Sequence, residues 1–184
     1  RRKQGLVKQI TDEINPRLGL ADYPGVFRSL RLFKQQEMLR IAARDLAGLA
    51  PLEELLQELS DVADVCLEQA WNTVLRQMGE RYGRPCSQDP EGRWHEATAC
   101  VLGMGKLGGQ ELNYSSDVDL LFLLEEAPDE DTCERLTRMI GLFWDIGLDI
   151  GHSVRTIAEC IVEASRDITV LTNLLEDRKS TRLN

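Results

Sequence analysis

Two acidic residues, Asp117 and Asp119, flank one apolar residue at the start of an apolar run that ends at Leu124. Residues two apart in an extended strand project from the same face, so the two carboxylates would lie side by side. Neighbouring carboxylates repel each other unless a cation lies between them, and hard oxygen ligands suit Mg²⁺. The pair therefore predicts a magnesium site. The alternative is a solvated turn whose acids bind nothing.

A glycine-rich turn, GMGKLGG at residues 103–109, precedes the acidic pair. Its spacing matches a dinucleotide-binding loop, but that fold needs a full crossover helix before its acidic residue. Only seven residues separate Gly109 from Asp117, and they include an asparagine and two serines, which are poor in helix interiors. Because Lys106 is not followed by Ser or Thr, the phosphate loop of NTPases is excluded as well.

The turn and the acids together favour transfer of a nucleotidyl group. Backbone N–H groups of a glycine turn can hold the phosphate tail of a nucleotide, whose oxygens would complete the metal shell begun by Asp117 and Asp119. Ser115 or Ser116 would add a hydroxyl. Metal ions in such sites polarise the α-phosphate, activate an acceptor hydroxyl and stabilise the departing pyrophosphate. In the alternative interpretation the glycines serve only a tight loop.

Hydrophobic periodicity predicts an α+β fold, with a helical N-terminal bundle followed by a small sheet and its flanking helices. Apolar residues at intervals of three and four predict helices, and short apolar runs predict strands. The predicted helices cover residues 27–46, 52–82 and 132–147, and the predicted strands cover 97–102, 118–124 and 148–154. The capping-box pattern Thr156-x-x-Glu159 predicts the start of a further helix.

We expect three parts along the chain: a helical segment at 1–86, a nucleotidyltransferase catalytic domain at 87–178, and a non-native tail at 179–184. The polar stretch 87–96 contains Pro-Glu-Gly and is predicted to be the loop at the domain boundary.

Both ends of the chain carry further expectations. Residues 1–25 contain prolines and glycines that break any long pattern, so no long helix is predicted there. Asp167 is predicted to cap a final helix. Because the chain begins with Arg1 and departs from the expected apolar pattern after Asp177, we expect an internal, truncated piece of a longer protein.

Composition excludes several functional classes. Hydrophobic residues make up 42% of the chain and charged residues 29%, values typical of a soluble globular protein, and no apolar run is long enough to span a membrane. The net charge of −9 argues against nucleic-acid binding over a broad surface. The cysteines are odd in number and never form a CxxC pair, which favours reduced thiols in the cytoplasm. They are Cys66, Cys86, Cys100, Cys133 and Cys160.

The stretch GMGKLGGQELNYSSDVDLLF, residues 103–122, resembles the signature of glutamine synthetase adenylyltransferase, a family of polymerase-β-like nucleotidyltransferases. A second stretch, LRLFKQQEMLRIAARDL at residues 30–46, resembles the helical segment upstream of that family's catalytic domain. Together the two stretches cover most of residues 30–124. The resemblance implies a polymerase-β-like sheet and nucleotidyltransferase activity.

Carried over by position, the resemblance implies that Asp117 and Asp119 bind Mg²⁺ and act in catalysis. It also implies a set of small residues that contact the nucleotide phosphates, namely Gly105, Gly108, Gly109 and Ser116. The donor would be ATP and the acceptor a tyrosine hydroxyl of glutamine synthetase, in the regulation of nitrogen metabolism. Family members carry two such domains, one attaching AMP and one removing it, and the motif here leans towards removal.

The region after the second predicted strand departs from that family. Its Val-Asp-x-Arg-Leu-Arg-Pro pattern, which contains a third metal carboxylate, is absent, and residues 144–156 (WDIGLDIGHSVRT) instead resemble PII uridylyltransferase. That sister enzyme modifies the nitrogen-signalling protein PII. Asp149 is our candidate for the third carboxylate, with an exposed strand-start acid as the alternative. The choice between ATP and UTP, and between glutamine synthetase and PII, stays open.

Other polar residues have structural as well as functional interpretations. His152 is predicted to be a hydrogen-bonded structural residue, with a general base as the alternative. Arg155 either neutralises phosphate or pairs with Glu159, four residues on. Arg40 and Arg44 share one helical face, where salt bridges are expected. A catalytically inactive binding or scaffold module is the alternative to an enzyme.

Overall fold

The computed structural model describes residues 3–84, 86–88, 91–96 and 99–166. The N-terminal bundle consists of three helices, α1 (Lys3–Gly19), α2 (Tyr23–Leu46) and α3 (Leu52–Tyr82). A small hairpin follows, formed by β1 (Cys86–Gln88) and β2 (Trp94–Glu96). The main sheet contains β3 (Ala99–Gly103), β4 (Val118–Leu124) and β5 (Ile150–Thr156), and the remaining helices are α4 (Gly105–Gly108), α5 (Glu130–Asp145) and α6 (Ile157–Arg166). The predicted α+β class is confirmed.

The bundle and the sheet share one hydrophobic core. The apolar stripe of α3 is buried against α1 and α2 on one side, and its C-terminal half reaches the sheet. There the rings of Trp71 and Phe122 pack with their centroids 6.3 Å apart. The sheet is therefore held against the bundle by apolar burial, which is the main favourable term in folding. The predicted boundary between residues 86 and 87 stays a prediction.

The prediction that residues 1–25 lack a long helix is wrong, because α1 runs from Lys3 to Gly19. Leu6, Ile10 and Ile14 recur every four residues and are almost fully buried. This stripe packs against α2 and α3, and tertiary packing outweighs the unfavourable propensity of Pro16 in the last turns. Three well-spaced apolar residues thus outweigh the interruptions by proline and glycine.

The prediction of an irregular polar loop at 87–96 is also wrong in part. Residues 86–88 and 94–96 pair as an antiparallel hairpin, with Cys86 opposite Glu96 and Gln88 opposite Trp94. The side chains of β2 are exposed, so no apolar alternation marks these strands. Backbone hydrogen bonds between β1 and β2 hold the hairpin together. Strands of three residues are too short to show the alternation of apolar and polar residues that predicts a strand.

The main sheet has the order β3-β4-β5, with β3 antiparallel and β5 parallel to the central strand. Parallel pairing places Val118 beside Ile150 and Asp119 beside Gly151. The predicted capping box is confirmed, because the Thr156 backbone N–H donates to Glu159 Oε2 at 2.7 Å and the Glu159 N–H donates to Thr156 Oγ1 at 3.1 Å.

Several expectations fall outside the described residues. They concern the cap at Asp167, the end of the catalytic domain at residue 178 and the tail at 179–184. Among the helices that are described, none combines the length and the apolar character needed to cross a membrane. All five cysteines lie in the described ranges and none forms a disulfide, in keeping with the predicted reduced thiols.

Cys66 differs from the exposed cysteines in its environment on α3. Burial raises the pKa of the Cys66 thiol to about 12. Because the thiolate is the reactive form, we expect native Cys66 to react with iodoacetamide at pH 8 at least about a thousandfold more slowly than exposed Cys86 and Cys133. Mass spectrometry of tryptic peptides measures the rates, and denaturant should make all five cysteines react. Rapid native labelling of Cys66 would contradict its burial.

The salt bridges predicted for Arg40 and Arg44 are confirmed, and they join α2 to α3. Arg40 Nη2 lies 3.0 Å from Glu58 Oε2, and Arg44 Nη1 lies 2.5 Å from Glu58 Oε1. Arg40 also pairs with Glu37, and Arg44 with Glu54. Glu58 is almost completely buried, so two arginines compensate one desolvated carboxylate.

Candidate functional site

Asp117 and Asp119 lie at the start of the central strand β4. Both are exposed, whereas Val118 and Leu120 are buried, so the acids share the solvent face as the sequence predicts. The buried side chains of β4, Val118, Leu120 and Phe122, pack into the hydrophobic core and hold the strand in place. The acidic pair is therefore accessible to a ligand on a rigid element.

The glycine turn lies directly against Asp119. It forms the single helical turn α4 after β3, and the Met104 backbone N–H donates to the Asp119 carbonyl oxygen at 2.8 Å. Gly105 has a φ of +53°, and a Cβ at this position would lie 3.1 Å from Asp119 Oδ2. Glycine is suited here both by its backbone conformation and by the close approach of a carboxylate.

The sequence predicts unobstructed backbone N–H groups in the glycine turn, but two of them already donate hydrogen bonds within the turn. The Gly108 N–H donates to the Met104 carbonyl at 3.2 Å, and the Gly109 N–H donates to the Gly105 carbonyl at 2.9 Å. These two N–H groups are thus used inside the turn and are not unobstructed donors. The contact of Gly105, Gly108 and Gly109 with nucleotide phosphates stays a prediction. At Gly108 and Gly109 the prediction depends on the lack of a side chain that would block the phosphates, and not on their N–H groups.

Asp117 and Asp149 line one open hollow of about 430 Å³, together with Trp144, Ile150 and Gly151. The Val118 N–H donates to the Asp149 carbonyl at 2.7 Å, which extends the parallel ladder one step towards the hollow. Asp149 is exposed, and it lies at the same edge of the sheet as the acidic pair. Its role as a third carboxylate stays a prediction.

Gly151 was not singled out from the sequence, yet it borders Asp119 closely. A Cβ at Gly151 would lie 2.7 Å from Asp119 Oδ1, closer than real Cβ atoms approach. The Asp119 carboxylate therefore lies between two glycines, Gly105 on α4 and Gly151 on β5. Only the pairing of β4 with β5 brings Gly151 to this place, so no local sequence signal identifies it.

The end of α5, which carries Trp144, and the loop that leads to Asp149 and β5 are held by α2. Arg31 Nε donates to the Asp145 carbonyl oxygen, and Lys34 Nζ donates to the Gly147 carbonyl oxygen. Cations at the C-terminal end of a helix satisfy its last carbonyls and interact favourably with its dipole. The bundle thus positions one wall of the hollow.

Ser116 forms a local network before the acidic pair. Its hydroxyl donates to Asn113 Oδ1 at 2.8 Å and accepts from Lys106 Nζ at 3.3 Å. The contact holds a lysine of the glycine turn beside the serine that precedes Asp117. Lys106 thus places a positive charge near the acidic pair, which no spacing in the sequence predicts.

His152 and Arg155 do not join the acidic pair. His152 follows Gly151 on β5, so its side chain projects from the opposite face to the one at Asp119. Arg155 Nη1 lies 3.9 Å from Glu163 Oε2, and Glu159, the predicted partner, caps α6. The His152 side chain is exposed and makes no hydrogen bond among the described residues, so its predicted structural role stays a prediction, and Arg155 pairs with Glu163 in place of the predicted Glu159.

The carboxylates fit a magnesium ion that is completed by substrate. Within the described ranges, no three His, Cys, Asp or Glu side chains converge into a metal-holding group. Mg²⁺ commonly binds one or two carboxylates and takes its other ligands from phosphates and water. Asp117 and Asp119 are both exposed, and Asp117 lines an open hollow, so the pair matches that pattern.

Comparison with known proteins agrees with the resemblance seen in the sequence. The family model described as glutamate-ammonia ligase adenylyltransferase matches residues 5–168. A bifunctional glutamine synthetase adenylyltransferase/adenylyl-removing enzyme of Thioalkalivibrio sulfidiphilus (strain HL-EbGR7) is 52% identical over 101 residues, which cover 55% of this chain and 10% of that protein.

Similarity to uridylyltransferases is present as well. A bifunctional uridylyltransferase/uridylyl-removing enzyme of Burkholderia thailandensis (strain ATCC 700388 / DSM 13276 / CCUG 48851 / CIP 106301 / E264) is 50% identical over 90 residues, covering 47% of this chain and 10% of that protein. A bifunctional uridylyltransferase/uridylyl-removing enzyme of Burkholderia pseudomallei (strain K96243) is 42% identical over 113 residues, covering 61% of this chain and 12% of that protein. The matched stretches thus span about a tenth of these relatives.

Proposed function

Because the chain belongs to the glutamate-ammonia ligase adenylyltransferase family, we propose that it is an Mg²⁺-dependent nucleotidyltransferase unit that uses ATP. Its acceptor is a tyrosine hydroxyl of glutamine synthetase, to which it attaches AMP or from which it removes AMP, in cytoplasmic nitrogen regulation. The observation that carries the proposal is the position of the Asp119 carboxylate. It lies against the glycine turn at Gly105 and on the same exposed face as Asp117.

In the proposed reaction each group has a task. A bound Mg²⁺ would supply the charge that polarises the α-phosphate and neutralises the leaving group. Asp117 and Asp119 would hold that ion, and the pairing of β4 with both of its neighbours fixes the backbone at Asp119 and directly after Asp117. The bare backbone of the glycine turn lets the triphosphate approach, while Lys106 adds positive charge beside Ser116.

The test is binding of MgATP by the chain and by the double variant Asp117→Asn with Asp119→Asn. We expect the dissociation constant measured by calorimetry to rise at least about tenfold, because the metal loses both of its charged protein ligands. A matched control, Asp12→Asn with Glu13→Gln, removes the same charge from exposed positions on α1 and should leave binding unchanged. Equal affinity of the site variant and the wild type would show that these acids are not metal ligands.

A second candidate, transfer of UMP from UTP to PII, is supported by the 50% identity to the Burkholderia thailandensis uridylyltransferase. The two are separated by incubating the chain with labelled ATP or UTP and with glutamine synthetase or PII in all four combinations. Label on glutamine synthetase from ATP supports the first proposal, and label on PII from UTP supports the second. Binding of nucleotide without transfer to either acceptor, and without phosphate-dependent removal of AMP from adenylylated glutamine synthetase, would favour the inactive scaffold.

A further inference from the structure

Gln110 has an unusual backbone conformation immediately after the glycine turn. Its φ is +60°, and among the described residues only Ala21 shares a positive φ without being glycine. A left-handed conformation is unfavourable for a residue with a Cβ, and glycine or asparagine normally occupies it. The neighbouring Gly109 has an ordinary φ of −74°. The chain thus places glutamine where glycine would adopt the backbone conformation at lower cost.

The Gln110 side chain makes three hydrogen bonds that account for this choice. Its Nε2 donates to Asp64 Oδ2 at 3.2 Å and to the Leu107 carbonyl oxygen at 3.1 Å, and its Oε1 accepts from Gln57 Nε2 at 2.6 Å. The first and last of these partners belong to α3. The second is a carbonyl of the glycine turn itself, so one amide joins the turn to the bundle.

A second contact fixes the same segment two residues later. The Leu112 N–H donates to Ser60 Oγ at 3.1 Å in the buried interface, and Ser60 in turn donates to the Leu56 carbonyl of its own helix. Asp64 is also tied to α1 through Lys3 Nζ at 2.7 Å. The polar patch on α3, defined as Gln57, Ser60 and Asp64, therefore holds the segment that leaves the glycine turn.

The two ends of the turn are thus held by different parts of the fold. Its beginning is bonded to β4, where the Met104 N–H meets the Asp119 carbonyl, and its end is bonded to α3 through Gln110 and Leu112. A loop fixed at both ends keeps its backbone at a constant distance from the Asp119 carboxylate. Supporting hydrogen bonds of this kind hold a binding loop within the narrow range that nucleotide binding requires.

We propose that Gln110 is a positioning residue, which clamps the glycine turn to the polar patch of α3 and so sets the turn for the triphosphate of the nucleotide. This inference rests on the proposed function. The hydrogen bonds of the Gln110 side chain go to Gln57, Asp64 and Leu107, so in this role Gln110 acts on neither Asp117 nor Asp119 directly. Its effect is on the affinity for MgATP and on the rigidity of residues 104–112.

Two variants separate positioning from stability. Gln110→Ala loses the three hydrogen bonds and keeps the strained backbone, whereas Gln110→Gly loses the bonds and relieves the strain. We expect both to weaken MgATP binding about tenfold, because loss of several modest hydrogen bonds frees the turn. We expect amide hydrogen exchange of Gly109 and Leu112 to accelerate in both. Gln110→Gly should melt at a higher temperature than Gln110→Ala, so equally weak binding by the two variants would show that affinity does not follow stability.

Ala21→Gly is the matched control, since Ala21 has a φ of +53° in the turn between α1 and α2. It should gain thermal stability with unchanged MgATP affinity and unchanged exchange at residues 104–112. Wild-type affinity and wild-type exchange in both Gln110 variants would overturn the positioning role, while loss of binding in the Asp117 and Asp119 double variant would still support the proposed function. A wild-type chain that fails to bind MgATP would overturn both.

Discussion

Replacing Gly151 with alanine is expected to lower the rate of nucleotidyl transfer about a hundredfold with little loss of stability. The new Cβ would lie 2.7 Å from Asp119 Oδ1, so the carboxylate must move. The end of a short side chain on the exposed face moves at small cost, and we expect the free energy of unfolding to change by less than about 1 kcal/mol. A displacement near 1 Å at a reacting centre costs about a hundredfold in rate.

Single-turnover assays with labelled ATP, together with urea unfolding, measure the two quantities. Gly141→Ala on α5 is the matched control, because a Cβ there has no neighbour within 4 Å. It adds the same methyl group and should keep the wild-type rate. If Gly151→Ala transferred nucleotide as fast as the wild type, Asp119 would not need its present position, and its assignment as a metal ligand would be wrong.

Replacing Glu58 with alanine is expected to destabilise the chain by about 3–5 kcal/mol, enough to unfold a marginal domain. The Glu58 side chain is only 3% exposed and accepts from both Arg40 and Arg44. Its removal leaves two partly buried guanidinium groups without the carboxylate that joins α2 to α3. Urea denaturation followed by circular dichroism measures the loss.

Glu54→Ala provides the control for Glu58, since Glu54 pairs with the same Arg44 but is 47% exposed. It should cost less than about 1 kcal/mol, as exposed ion pairs do. A loss for Glu58→Ala no larger than that for Glu54→Ala would contradict the role of the buried pair.

The effect of Glu58 should also depend on pH. Burial by itself raises the pKa of the Glu58 carboxyl, but hydrogen bonds, among them those from Arg40 and Arg44, outweigh burial and lower the pKa below its ordinary value. A carboxyl with a lowered folded-state pKa contributes stability above its unfolded pKa and loses that contribution as the pH falls. The difference between wild type and Glu58→Ala should therefore be full at neutral pH and shrink below about pH 4.

The local features of this protein could be predicted from the sequence because they follow from short-range periodicity. The apolar stripe predicted a helix over residues 52–82, and α3 begins at Leu52 and ends at Tyr82. The alternation around Val118 placed Asp117 and Asp119 on one exposed face. The short spacing between Gly109 and Asp117 excluded a dinucleotide fold, and within residues 99–124, which are all described, no crossover helix separates β3 from β4. Each of these conclusions depends on neighbours within a few residues.

Other features follow only from contacts between distant segments. Helix α1 forms because Leu6, Ile10 and Ile14 find a partner in the bundle, and β1 and β2 form because their backbones pair. No pattern in the sequence relates Gly151 to Asp119, since the parallel register of two strands brings them together.

The sequence by itself thus determined the chemical groups at the site, namely two carboxylates and a glycine turn, because residue type and local alternation define them. The tertiary structure decided what holds those groups in place. Gln110 reaches Asp64 across 46 positions of sequence, and Lys34 reaches Gly147 across 113. Such contacts arise only when the bundle packs against the sheet, because apolar burial sets how the elements meet and the polar groups then bond wherever that packing leaves them adjacent.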